Sequence, residues 1–119
     1  MRLRPPLILG VAIAAFTATF ASLAVLQHRA FWTGRFDLGN LTQTVWSTAH
    51  GDLLSMTDLQ GRQISRLGAH FDPIVVALAP AWLVWPHPSL LLVVQAVAVA
   101  AGAPAVYMLA RKHLGSEWA

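Results

Sequence analysis

Two long runs without a single charge dominate this chain. Residues 7–26 and residues 90–110 contain no Asp, Glu, Lys or Arg. A helix that crosses a bilayer needs about 20 predominantly apolar residues, because its backbone must satisfy its own hydrogen bonds across about 30 Å of hydrocarbon. Each run is long enough for that. With 11% charged residues against about 25% in ordinary soluble domains, a soluble globular fold is excluded. The expected class is an all-α integral membrane protein with three apolar helices. A single N-terminal membrane module over residues 1–119 carries them, with spans at 7–26, 71–85 and 89–110.

The first run follows Met1-Arg2-Leu3-Arg4-Pro5-Pro6. A cleaved signal peptide shares the basic start, and Ser22-Leu23-Ala24 is a passable cleavage site. The run is longer than a signal peptide's 7–15-residue apolar core, and further apolar segments follow, so an uncleaved span is expected. Arg2 and Arg4 put the N-terminus in the cytoplasm by the positive-inside rule. The loop at 27–70 is then extracytoplasmic, in the cytoplasmic membrane of a bacterium.

Four of the five acidic residues, Asp37, Asp52, Asp58 and Asp72, lie within or just beyond that loop. Leu38, Leu41, Val45, Trp46 and Ala49 share one helical face, and Asn40, Gln43, Ser47 and His50 share another. This predicts a short amphipathic helix over 38–50, lying on the membrane surface, with Asn40 and Gln43 as a capping box. Gly51 falls where a left-handed residue ends a helix. Asp58-Leu59-Gln60-Gly61 reads as the turn of a small hairpin.

The segment 71–85 leaves two topologies open. Asp72-Pro73 is a helix start, with the carboxylate as cap and Pro in the first turn. Only 12 uncharged residues follow, interrupted by Pro80. Full crossing puts Arg111-Lys112 outside, against the positive-inside rule; a dip into the outer leaflet puts them inside. Full crossing is the working expectation, because helix and flanks together reach across a locally thinned bilayer.

Candidate chemistry lies in the loop. Asp37 answers the dipole of the 38–50 helix, serves as a general base at the water–lipid boundary, or does both. His70 is a base, a metal ligand or an interfacial hydrogen-bonding group. Asp37, His50, His70 and Asp72 are oxygen and nitrogen donors for a divalent cation, although their separations match no compact metal motif. Arg62 and Arg66, four apart, either grip a phosphate through paired guanidinium bonds or neutralise Asp52 and Asp58. The net charge of +3 is scattered rather than clustered, so no nucleic-acid partner is expected. The absence of cysteine excludes disulfides and thiolate sites.

Several stretches together carry a family resemblance. They are Phe36-Asp37-Leu38-Gly39-Asn40, Val45-Trp46-Ser47-Thr48-Ala49-His50-Gly51, Met56-Thr57-Asp58, Ser65-Arg66-Leu67-Gly68-Ala69-His70-Phe71-Asp72-Pro73 and Leu109-Ala110-Arg111-Lys112-His113-Leu114-Gly115. The chain resembles the N-terminal part of the bacterial membrane-protein family called domain of unknown function 2079. Members are several times longer, so the resemblance implies a fragment of a longer chain, inactive alone, with Ser116-Glu117-Trp118-Ala119 as a ragged end. The missing partners would be the parent chain's remaining transmembrane helices and the lipid bilayer. The family's layout is similar to that of GT-C membrane glycosyltransferases, which use a polyprenyl-phosphate-linked sugar and an acid in the first extracytoplasmic loop. By that similarity Asp37 is the general base and His70 a helper. Arg62, Arg66 and Asn40 would contact substrate, and Asp72 and His50 are the weaker metal candidates. A non-enzymatic transporter or assembly subunit, with the loop as a docking surface, is the rival reading.

Overall fold

The structure is a computed structural model, and it describes residues 5–115. Arg2 and Arg4, on which the orientation rests, and the 116–119 tail lie outside the described residues. In chain order the elements are α1 (Pro5–Arg29), α2 (Arg35–Ala49), β1 (Ser55–Thr57) and β2 (Gln63–Ser65). A short 3-10 turn (Arg66–Gly68) and a 3-10 helix (Pro73–Leu78) follow, the latter running into α3 (Ala79–Val84). The chain closes with α4 (Ser89–Ala100) and α5 (Ala103–Leu114). It divides into two compact units, residues 30–91 and the flanking segments on either side of them.

Among the described residues two helices are long and apolar enough to cross a membrane, Pro5–Arg29 and Ser89–Leu114; all of them but residues 89–91 lie in the flanking unit. At 1.5 Å per residue, α1 is about 37 Å long, more than the hydrocarbon core requires. None of its residues is buried, so its apolar side chains are at most partly covered inside this chain. The second helix bends between α4 and α5. Pro104 has no N–H to give the Ala100 carbonyl, and Gly102 turns to a tighter bond with Val99 O at 3.2 Å. The helix also continues beyond the expected end at 110. Arg111, Lys112 and His113 form its last turn, where cations suit the dipole, and Gly115 closes it at φ 65°.

The central unit is built around α2. This helix begins at Arg35, three residues before the expected start, with Gly34 as its N-cap. Asn40 and Gln43 are therefore interior residues and form no capping box: no side-chain bond caps the helix. The C-terminus is as expected. Asp52 N donates to Ser47 O at 2.9 Å and Gly51 N to Thr48 O at 3.2 Å, with Gly51 at φ 96°. That pair of bonds is a Schellman closure, and glycine adopts its left-handed residue without steric cost.

The hairpin also forms where expected. The strands pair antiparallel, with Ser55 opposite Ser65, Met56 opposite Ile64 and Thr57 opposite Gln63. Asp58 N donates to Arg62 O at 2.9 Å, and the turn between them carries Gly61 at φ 80°. Both β1 and the 73–84 helical segment pack on α2. Val45 is wholly buried, and Leu54, Met56, Val75, Ala79 and Trp82 complete most of this core. Leu54 takes a left-handed φ of 54°. For a branched residue that costs roughly 1–2 kcal/mol, here offset by burial and two bonds: Leu54 N to Thr48 Oγ1 at 2.9 Å, and Arg66 N to Leu54 O at 2.7 Å.

One expectation changes here. The α2 face expected to rest on lipid is partly covered by the protein itself, since Val45 lies at its centre. The 71–85 segment is a 12-residue apolar helix over Pro73–Val84, half of it 3-10. Its rise is about 21 Å, short of the hydrocarbon core.

Candidate functional site

Polar side chains converge along the seam between α2 and the hairpin. Gln43 Oε1 accepts from Thr57 N at 3.0 Å, and its Nε2 donates to Thr57 Oγ1 at 2.7 Å. Ser47 Oγ donates to Ser55 O at 2.7 Å, and Gln63 Nε2 donates to Thr57 Oγ1 at 2.9 Å. Gln43 and Ser47, the middle of the polar stripe of α2, thus dock β1. These residues read in sequence as a solvated face, because alternation alone cannot tell water from a neighbouring strand as the polar partner. The clue available in sequence is that this part of the stripe is uncharged: Gln, Thr and Ser satisfy a strand backbone without the desolvation cost of a charge.

A second junction ties the hairpin to the 73–84 segment. Arg66 Nε lies 2.9 Å from both Asp72 oxygens, and Nη2 donates to Asp72 Oδ2 at 2.6 Å. The third nitrogen, Nη1, faces Met56 Sδ at 3.8 Å. Hydrogen bonds from the Arg66 guanidinium hold the Asp72 carboxyl below the usual carboxylate range. Burial opposes this, and the charges of Arg66 and His70 reinforce it. Asp72 stands at the N-cap position but makes no side-chain cap bond. Its expected capping role is replaced by the ion pair, because a guanidinium offers its carboxylate charge-assisted bonds that a backbone N–H cannot match.

Arg62 is paired within the hairpin turn. Asp58 Oδ1 accepts from Gln60 N and Arg62 N, each at 2.8 Å, and Asp58 Oδ2 accepts from Arg62 Nε at 2.8 Å. The Arg62 N–H lowers the Asp58 carboxyl from its ordinary value, burial works against it, and the Arg62 side chain adds to the lowering. Of the two neutralisations read in sequence, Arg62 with Asp58 holds. Arg66 turns to Asp72 rather than Asp52.

The other candidates stand apart. Asp37 is exposed in the first turn of α2, where a carboxylate suits the positive end of the helix dipole. No described group bonds its carboxylate. Asn40 O accepts from Thr44 Oγ1 at 2.8 Å inside α2. His50 caps the other end of the same helix: its Nδ1 lies 2.6 Å from Trp46 O, and its ring stacks on Trp46 at 4.7 Å. His70 is exposed, and its N–H donates to Arg66 O at 2.7 Å.

These positions do not suit one cation. Asp37 and His50 are 13 residues apart on one helix, about 20 Å along its axis. Both Asp72 oxygens face Arg66. Among the described residues no three His, Cys, Asp or Glu side chains gather as a metal site.

A family model described as a predicted membrane protein, DUF2079, matches residues 27–119, well over half the chain. No curated protein and no solved structure matches it.

Proposed function

The chain belongs to the DUF2079 family of predicted membrane proteins, and from that premise we propose that it is the N-terminal part of a GT-C-like glycosyltransferase. The donor class is a polyprenyl-phosphate-linked sugar, and the central unit forms part of an extracytoplasmic active site in a bacterial cytoplasmic membrane. The remaining transmembrane helices of a longer parent chain complete the substrate cavity. The observation that carries this reading is Asp37: an exposed carboxylate without a described partner, eight residues beyond the end of α1. Asp58 and Asp72 in the same unit are each held by an arginine.

In the proposed step Asp37 takes the proton of the acceptor hydroxyl. The freed oxygen attacks the anomeric carbon from the face opposite the phosphate. The bond from that carbon to the phosphate oxygen breaks, polyprenyl phosphate leaves with the electron pair, and the sugar inverts. An exposed carboxylate without a described partner suits this role because its oxygens are open to the acceptor hydroxyl. The 73–84 segment, too short to cross unaided, supports the version in which it lies in the outer leaflet and Arg111-Lys112 return to the cytoplasm.

The test is Asp37→Asn in the full-length parent. Sugar transfer from a radiolabelled lipid-linked donor is lost while expression and membrane insertion stay unchanged. Transfer at the parent rate removes Asp37 from catalysis. One observation favours the rival reading, a non-enzymatic component with the loop as docking surface. Arg66 is committed to Asp72 and Arg62 Nε to Asp58, so the two arginines do not offer a donor phosphate a paired grip without Arg66 releasing its partner.

A further inference from the structure

The flanking unit carries a groove between α1 and α4, about 420 Å³ in volume, lined by Ala21, Ser22, Val25, Leu26, Arg29 and Val93. Its volume falls within the range of small-molecule sites. Its chemistry is divided along its length. Ala21, Val25, Leu26 and Val93 make an apolar wall, and Arg29 is the one charged group. The apolar run of α1 ends at residue 26, so Arg29 lies about 4–5 Å beyond it along the axis. For a spanning helix that is the depth of lipid phosphates. Arg29 is exposed, and no described carboxylate pairs with it.

From this layout we propose that the groove is a binding site for one anionic phospholipid, its acyl chain on the apolar wall and its phosphate on Arg29. A guanidinium meets a phosphate with two parallel bonds, and its aliphatic stem lies along apolar surface while the head reaches the polar layer. The C-terminal carbonyls of α1 repel an anion. Arg29 is therefore the group that attracts the headgroup, and the site depends on it. The assignment is independent of the transferase reading, because neither Asp37 nor the hairpin takes part.

The experiment is native mass spectrometry of the full chain released from micelles holding equal phosphatidylglycerol and phosphatidylcholine with the same acyl chains. The wild type retains one phosphatidylglycerol in preference to phosphatidylcholine. Arg29→Gln lowers that preference about fivefold, the worth of one arginine at an anionic lipid surface, and Arg29→Lys keeps most of it. Val93→Trp fills the wall and reduces retention of both lipids. Equal retention of the two lipids by the wild type overturns the proposal, as does undiminished preference in Arg29→Gln or undiminished retention in Val93→Trp. Displacement of phosphatidylglycerol by an equal concentration of polyprenyl phosphate also overturns it, and assigns the groove to a different lipid.

Discussion

Cutting the Arg66–Asp72 pair by Asp72→Asn removes the charge that three guanidinium contacts of 2.6–2.9 Å address. The Arg66 side chain is 12% exposed and that of Asp72 30%. The variant therefore strands a nearly buried cation beside an amide that still accepts one bond. Breaking a fully buried pair costs about 3–5 kcal/mol. The partial exposure of Asp72 means that less was lost to desolvation and that water re-enters, so about 2 kcal/mol is expected. The chain has no cysteine, which makes Val45→Cys, at a wholly buried core position, a unique reporter of opening. With opening in fast equilibrium, thiol labelling in micelles should accelerate about 30-fold in Asp72→Asn over the Val45→Cys parent. Arg66→Met with Asp72→Asn should label more slowly than the single variant, because no unpaired charge remains. Labelling of Asp72→Asn within about threefold of the parent would refute the idea that this pair ties the hairpin to the 73–84 segment.

The pair also sets a pH response. The folded carboxyls of Asp72 and Asp58 are both lowered, so the stability they add is complete above the unfolded value of about 3.9 and is lost as pH falls through the folded values. Near-UV circular dichroism should hold steady from pH 7 to about 4 and decline only below that, with a smaller decline in Asp72→Asn. Gln43→Ala removes both bonds to Thr57 and should cost about 1–3 kcal/mol, read as faster hydrogen exchange at the Thr57 amide. No change at that amide would mean the seam is held by packing alone. Gly61→Ala meets no atom within 4 Å but must adopt φ 80°, so about 1–2 kcal/mol of hairpin stability should be lost from conformation alone. Unaltered exchange across the turn would contradict this. Asp37→Asn should cost only the helix-dipole contribution of about 0.3–1 kcal/mol, since its carboxylate makes no cap bond. A larger loss in thermal unfolding would point to a structural role.

The helices at either end were fixed by the sequence itself, because an uncharged run of 20 residues has one physical solution in lipid. The closure of α2 at Gly51 and the turn at Gly61 were legible for a similar reason: glycine at a left-handed position is a local requirement, independent of anything distant. The start of α2 was not legible. Asn40 and Gln43 have the composition of a capping box, and only the position of Gly34 and the docking of β1 show them to be interior. The pairings were legible only in part. Arg62 and Asp58 sit across one tight turn, so proximity in sequence already implies proximity in space. Arg66 has several carboxylates within reach along the chain, and the packing of the 73–84 segment on α2 selects Asp72. The α2 stripes show the same division. Periodicity tells which side chains share a face, but a helix face has no knowledge of what will cover it. Whether Gln43 and Ser47 meet water or a strand, and whether Val45 meets lipid or a protein core, is decided by long-range contacts that only the tertiary structure contains.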